Sequence, residues 1–403
     1  MHRNSGILKV LALFCAAAAL AAGCDESIEF SNTPPGQIRI TRSLCYLATG
    51  ETVILTASAE DVDGDSVSYT WSAEDGTLGT PGPGGRSVSW TAPSSPGVYR
   101  VVATATDRID SRSKSLDIEV GPKIALLPGE VLLDRTDYPY FIDGITPLRI
   151  LPGMSMRITA GVTVIVNETT SGLSIEGSLV IEGEEGSPVV IRPNACPDED
   201  GTWGGLRFSG ADAVGDLEFL NVFSASTGIT VDDMAHVEMR GVSIEESSGS
   251  ALSLYGNGSA RMEGCKIWDN SGGIFVENGQ LDMTGSSIRY NSNYGLYIIS
   301  SSAGAPHEAL IDSCVIATNG GDGIVLSQYG TAVINYNSIF LNETENGLGY
   351  GLKLVAYSGT DNIDARFNYW GADSEAGVRE QIFEGPVTID VITSGWLSEP
   401  PVE

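Results

Sequence analysis

Short runs of alternating apolar and polar residues recur along this chain at an almost fixed spacing. Six segments carry the pattern: VEMRGVSI from Val237, ARMEGCKI from Ala260, LDMTGSSI from Leu281, ALIDSCVI from Ala309, AVINYNSI from Ala332 and IDARFNYW from Ile363. Between them falls a second phrase, apolar-x-apolar after a small residue. It stands at Ile229-x-Val231, Leu252-x-Leu254, Ile274-x-Val276, Leu296-x-Ile298, Ile324-x-Leu326 and Leu352-x-Leu354. Its steps are 23, 22, 22, 28 and 28 residues, the two longer ones holding polar insertions such as SSAGAPHE. A period of two predicts strands. Val237 and Met239, a turn at Arg240-Gly241, then Val242 and Ile244 place four apolar side chains on one side of two strands. A third strand follows where a small residue lets the backbone turn tightly. One such coil cannot bury its side chains alone. Coils stacked about 4.8 Å apart form parallel sheets around a shared apolar interior. The fixed period, with no helical signal, predicts a solenoid.

After the second strand of each coil an amide recurs, at Asn270, Asn291, Asn319 and Asn342. Stacked asparagines hydrogen-bond one another and the turn backbone, so these positions are expected to form a structural ladder.

The repeated segments resemble the right-handed parallel β-helix superfamily, which includes pectin-degrading lyases, alginate-modifying epimerases and many non-enzymatic surface or periplasmic proteins. LRILPGMSMRITAGVTVIV, GLSIEGSLVIEGEEGSPVVIRP and TWGGLRFSG look like the opening coils of bacterial members, and FNYWGADSEAGVREQIFEG with SGWLSEPP like their closing segment. Trp203 and Trp370 fall in these segments and are expected to pack in the core or cap. The resemblance covers about residues 123–397 and implies a β-helix with a C-terminal cap over 122–397. It implies no activity, because this fold carries many.

A different pattern occupies residues 37–121. ETVILTASAED, SVSYTWSAEDG, RSVSWTAPSS and GVYRVVATATD read as strands separated by Gly, Pro, Asp and Ser clusters. Trp71 is central in one strand, and Tyr99, Val101, Ala103 and Ala105 share one face of another. These suggest an immunoglobulin-like β-sandwich. AEDVDGDSVSYTW, WTAP and GVYRVVATATD resemble bacterial PKD-like and cadherin-like domains, which serve as spacers or adhesive units. The fold class is therefore all-β: an N-terminal immunoglobulin-like sandwich followed by a right-handed parallel β-helix solenoid.

The N-terminus points to export. Arg3 and Lys9 precede an apolar run from Val10 to Leu20, too short to span a bilayer comfortably. The run ends in Leu20-Ala-Ala-Gly-Cys24, which resembles the bacterial lipobox, although Ala21 holds the place usually given to leucine. The resemblance implies a signal peptide over 1–23, an acylated Cys24 and a tether over 24–36, hence a lipid-anchored protein of the bacterial cell envelope. A plain secretion signal is the alternative. The formal charge is −30, and removing Arg3 and Lys9 with the leader makes it −30 − 2 = −32. Such a field argues against nucleic acid and opposes an anionic polysaccharide unless cations intervene.

Candidate chemistry is sparse. Asp61, Asp63 and Asp65, with Glu60 and Asp107 on neighbouring loops, would suit a hard ion such as calcium, the one cofactor suggested. Aspartate and glycine at such places also simply make turns. Cys265 and Cys314 hold the same place in coils separated by the coil of Ser286. Two coil steps, about 9.6 Å, exceed the reach of a disulfide, so both are expected to be free and buried. Cys45 and Cys196 would have to pair across domains, which the sequence leaves open. His236 and His307 are isolated, Asp232-Asp233 reads as a solvated turn, and Lys266 and Arg289 read as surface charge. No catalytic residue can be named. Trp268, Tyr290, Tyr294, Tyr297 and Phe340 lie near the second turn or third strand of successive coils, where an exposed file of rings would stack on sugars. The expected protein is a monomer acting as a non-catalytic binding or structural surface toward a polysaccharide or other envelope component. A polysaccharide lyase or epimerase is the alternative, and a protein-binding adhesin a second one.

Overall fold

The computed structural model describes residues 32–167, 171–196, 201–301, 308–343, 347, 349–385 and 389–401. Cys24, the leader and His307 lie outside them.

The first module is a sandwich of two four-stranded sheets. One orders its strands Arg39–Arg42, Thr52–Ser58, Ser87–Thr91 and Thr77–Leu78; the other orders Leu47–Ala48, Ser111–Gly121, Gly97–Thr106 and Ser68–Ala73. Alternation gives each strand an inward face, as in Thr52–Ser58, where Val53, Leu55 and Ala57 are buried between exposed neighbours. Val101, Ala103 and Ala105 are buried as their spacing predicts. The deep tryptophan, however, is Trp90, whose Nε1 donates to the Asp75 carbonyl at 2.9 Å. Trp71 is half-buried and caps the edge, donating to the Gly85 carbonyl at 2.8 Å.

The second module winds three parallel sheets of eleven, nine and ten strands around one apolar core. A typical coil runs His236–Arg240 in the first sheet, Ser243–Glu245 in the second and Ser250–Tyr255 in the third. The third-sheet register is the one read from the apolar-x-apolar phrase. Ile229 pairs with Leu252, Leu252 with Ile274, Ile274 with Leu296, Leu296 with Ile324 and Ile324 with Leu352. Trp203 and Trp370 are fully buried near the two ends of the repeat.

Two polar ladders run up the inside corners. Between the second and third sheets, Nδ2 of Asn270 donates to Oδ1 of Asn291 at 3.1 Å, Asn291 to Asn319 at 2.9 Å and Asn319 to Asn342 at 2.9 Å. The residue before each asparagine takes a left-handed φ: Asp269 at 56°, Tyr290 at 60°, Thr318 at 59° and Leu341 at 54°. Side chains pay for that conformation, about 1–3 kcal/mol each, and it persists where surrounding bonds over-determine it. The second ladder lies between the first and second sheets. The backbone N–H of Cys265 donates to Ser286 Oγ, that of Ser286 to Cys314 Sγ, that of Cys314 to Asn337 Oδ1, and that of Asn337 to Asn368 Oδ1. Cys265 and Cys314 are thus two rungs with Ser286 between them, both free and buried. Burial pushes their thiols up, to about 11 for Cys265 and about 12 for Cys314.

The modules are joined covalently. Cys45 of the sandwich and Cys196 of the solenoid form a disulfide. Beside it the Tyr46 backbone N–H donates to Asn194 Oδ1 at 3.1 Å, Asn194 Nδ2 returns a bond to the Tyr46 carbonyl at 2.8 Å, and the Arg192 guanidinium lies over the Tyr46 ring. Ala48, Phe141 and Ile165 form a small shared core. Gly121 has no room for a side chain, since a Cβ there would stand 1.6 Å from the Pro139 carbonyl oxygen.

Candidate functional site

The residue at the x of each apolar-x-apolar phrase faces outward, because its neighbours on both sides face the core. Strand pairing stacks these residues into one row on the exterior of the third sheet. It runs Arg149, Ser174, Arg207, Thr230, Ser253, Phe275, Tyr297, Val325, Lys353 and Phe383. The row is uncommon in an acidic protein, since it has no carboxylate of its own. Its three cations are each held by a carboxylate next to the row: Arg149 by Glu176 at 2.5 Å, Arg207 by Asp232 at 2.6 Å and Lys353 by Asp322 at 2.9 Å. Asp232, expected to be solvated, is in fact only 6% exposed. Its carboxylate turns back along the sheet to receive Arg207.

Aromatic rings gather at the middle of this row. Phe275 and Tyr297 stack with centroids 5.8 Å apart and planes 24° from parallel. Tyr255 lies 5.7 Å from Phe275, and Tyr294 lies edge-on 5.8 Å from Tyr297. Tyr294 is fixed by a 2.9 Å bond between its hydroxyl and Ser250 Oγ. Burial raises its phenol pKa, and the Ser250 bond acts against that. Stacked, amphipathic rings on a rigid sheet, in line with the half-buried Thr230 while Ser253 between them is buried, offer apolar surface beside a hydrogen-bond partner.

The first sheet presents the opposite character. Arg240 bonds Asp216 at 2.5 Å, Glu218 at 2.8 Å and Glu238 at 3.0 Å, and the Glu218 bond is the main reason its pKa is raised. Arg157 is likewise set between Glu130 and Glu182. Carboxylates outnumber cations in both groups, so this face carries a share of the negative field. His236 belongs here, exposed, with Nδ1 2.8 Å from Ser259 Oγ.

The five rings singled out from sequence fall into three places. Tyr294 and Tyr297 join the third-sheet group. Trp268 is on the second-sheet exterior, its ring edge-on to Tyr290 at 6.3 Å and beneath the Lys266 ammonium at 5.6 Å. Phe340 shares the second-sheet row but is separated from Trp268 by Arg289 and Ala317, and meets Tyr369 at 5.9 Å. Lys266 pairs with Ser287, and Arg289 stands next to Trp268, so the two basic groups occupy different rows. Sequence reading missed Phe275 and Tyr255. The signal for Phe275 was present in the repeat, because it occupies the x of Ile274-x-Val276.

In the sandwich, Asp61 closes its own turn, accepting from the N–H of Asp63 at 3.0 Å and of Asp65 at 3.1 Å. Asp107 does the same for Ile109 and Asp110 and also receives Asn32 Nδ2 at 2.9 Å. Among the described residues no group of three or more His, Cys, Asp or Glu converges as a metal site, and no helix is long and apolar enough to cross a membrane.

Comparison with known proteins agrees with this architecture. Residues 37–120 match the model of the PKD domain, and residues 204–369 match that of the right handed beta helix region. No curated protein matches the chain. Among solved structures, the catalytic unit of a thermostable GH87 alpha-1,3-glucanase from Streptomyces thermodiastaticus strain HF3-3 is similar at 9% identity. The match covers 91% of this chain and 84% of that one, with a TM-score of 0.27.

Proposed function

From a chain that joins a PKD domain to a right-handed β-helix, we propose a non-catalytic, carbohydrate-binding protein of the bacterial cell envelope, exported and anchored through a lipid on Cys24. The observation that carries this reading is the aromatic group on the third-sheet exterior, with Phe275 and Tyr297 in a row that has no carboxylate of its own, Tyr255 and Tyr294 packed against them, and Glu277 paired with Tyr255 in the adjoining line. Coils about 4.8 Å apart set rings at a spacing close to the length of one sugar residue, so a glycan lying along the solenoid axis would meet one ring after another. Each ring stacked on a pyranose contributes on the order of 1 kcal/mol, which makes a multi-ring contact useful and a single one weak. The row's cations are neutralised by Glu176, Asp232 and Asp322. The face therefore suits a neutral polymer. Elimination would need a free base beside a uronate, and Lys353, the nearest amine in the row, is bound to Asp322. The PKD domain acts as a spacer, fixed to the solenoid by Cys45–Cys196.

A glycan array probed with the full chain and with a Phe275→Ala/Tyr297→Ala variant tests the reading. Binding to neutral glycans, weakened roughly tenfold or more in the variant, is expected. Equal binding by both proteins, or a steady release of unsaturated uronate products, would overturn it. For the anchor, Cys24→Ser should abolish lipid labelling and free the protein from membranes; unchanged labelling would refute acylation at that residue.

A further inference from the structure

Tyr294 does not stand out from the sheet. Its hydroxyl meets Ser250 Oγ at 2.9 Å, across a sequence separation of 44 residues that places Ser250 two coils nearer the opening end. Gly272 fills the same line in the coil between them. It pairs with Ser250, and the next residue, Gly273, donates its N–H to the Tyr294 carbonyl at 3.0 Å. A Cβ built on Gly272 would stand 2.9 Å from both Cζ and the hydroxyl oxygen of Tyr294, and 3.4 Å from Ser250 Oγ. The ring therefore lies down along the solenoid axis, over the bare backbone of Gly272, with its tip bound on the far side.

Gly272 differs in this from the glycines beside it. At Gly273 and Gly295 an added Cβ would run into backbone, the carbonyl oxygens of Gly295 at 2.0 Å and Gly323 at 2.5 Å, so coil stacking itself excludes a side chain there. At Gly272 the nearest obstacle is the movable end of the Tyr294 side chain. The smallness of residue 272 serves the ring. Tyr297 lies at 62° to Tyr294, and Phe275 stacks on Tyr297 within 24°. The group makes a notch, with Tyr294 as its floor and the Phe275–Tyr297 pair as its wall. Tyr294 is half-buried, so its side away from Gly272 keeps open surface.

A floor and a wall at a steep angle select by shape. A sugar ring laid on the floor turns its C–H face to the aromatic face and its edge to the wall. Chains whose linkages and ring substituents are all equatorial are flat and extended, so successive units keep that posture along a flat sheet. Chains linked α-1,4 curl and lift away after one unit. Glu277, paired with Tyr255 in the adjoining line, opposes acidic sugars. Building on the carbohydrate-binding reading above, we infer that Tyr294 is the ring on which the glycan stacks and that Gly272 and Ser250 are its positioning residues. The ligand class is a neutral, extended β-1,4-linked glycan.

The test is calorimetric titration of the full chain with cellohexaose and maltohexaose, repeated on Tyr294→Ala, Gly272→Ala and the double variant. Cellohexaose should bind roughly tenfold more tightly than maltohexaose or better. Tyr294→Ala and Gly272→Ala should each weaken cellohexaose binding roughly tenfold, and the double variant no more than Tyr294→Ala alone, because Gly272 acts through the ring. A merely structural role for Gly272 would give losses that add. Should Gly272→Ala fail to fold, Ser250→Ala takes its place, with a loss of roughly threefold that vanishes in the Tyr294→Ala background. Equal affinity for the two hexasaccharides, additive losses, or unchanged affinity in the positioning variants would overturn the inference. So would no cellohexaose binding at millimolar concentration. If neutral glycans on the array are then still bound, and lost in Phe275→Ala/Tyr297→Ala, carbohydrate binding stands and the role of Tyr294 falls; no neutral glycan bound by the full chain removes both.

Discussion

Asn319 is the rung of the inner ladder whose removal should be felt most widely. Its Oδ1 accepts from the backbone N–H of Asn291 at 3.1 Å and from Asn291 Nδ2 at 2.9 Å. Its Nδ2 donates to Asn342 Oδ1 at 2.9 Å and to the Ile288 carbonyl at 3.2 Å. Asn319→Ala deletes all four bonds at a residue only 1% exposed. Asn291 Nδ2 keeps its bond to the Ile267 carbonyl and Asn342 Oδ1 keeps the backbone N–H of residue 319, so neither is orphaned. The backbone N–H of Asn291 loses the ladder bond and has no other in sight. An orphaned buried donor costs about 1–3 kcal/mol and each lost neutral bond about 0.5–1.5 kcal/mol, giving about 3–5 kcal/mol in all. Asn293, two residues past Asn291, makes only an exposed bond to Ser271 Oγ, and Asn293→Ala should cost less than about 0.5 kcal/mol. Urea unfolding of the two variants gives the difference, and hydrogen exchange locates it: the Asn291 amide should exchange faster in Asn319→Ala alone. A loss below about 1 kcal/mol, or unchanged protection at Asn291, would show that strand pairing holds the coils without the ladder.

Three further outcomes follow from other parts of the molecule. Cys265 and Cys314, with thiols pushed up to about 11 and about 12 by burial, should resist a thiol reagent at neutral pH until the solenoid unfolds; rapid labelling of the native protein would contradict their place in the ladder. Reducing Cys45–Cys196, which bridges a sequence separation of 151 residues, should lower stability by about 3–5 kcal/mol and expose the junction to proteolysis; an unchanged urea midpoint would mean that the Tyr46–Asn194 bonds suffice. The Asp107 carboxyl is held below its usual value, first by Asn32 and then by the backbone N–H groups of Asp110 and Ile109. Its contribution is complete above the unfolded value near pH ~4 and is lost as pH falls through the lower folded value, so the sandwich should weaken there and Asp107→Asn should flatten that dependence. Parallel acid-unfolding curves for the two proteins would refute it.

The parts legible in the sequence are those that repeat with residue identity. Apolar pairs such as Ile274 and Val276, and the asparagines at 270, 291, 319 and 342, recur in kind, so their register could be read coil by coil. The second ladder could not, because its rungs change from Cys265 to Ser286, Cys314, Asn337 and Asn368. Geometry there asks only for a small polar acceptor, and several residues meet that need. The aromatic file was half legible for a related reason. Rings near a turn share a sequence neighbourhood but not a row, and Trp268 and Phe340 went to the second sheet while Tyr297 joined Phe275 on the third. Asp232 looked like a solvated turn residue because its partner, Arg207, is 25 positions away in sequence and adjacent only once the coils stack. The disulfide was illegible because the contact between modules depends on Phe141, Ile165 and Ala48 meeting across a junction that neither module's own pattern specifies.

The central claim is that carbohydrate lies along the third-sheet exterior, and hydroxyl-radical footprinting of the full chain with and without a bound neutral glycan tests it most directly. Protection should fall on Phe275, Tyr297, Tyr255 and Tyr294, with Trp268 and Tyr290 on the second-sheet exterior labelled as in the free protein. Protection centred on Trp268 and Tyr290, or on the first-sheet face around His236, would contradict the account.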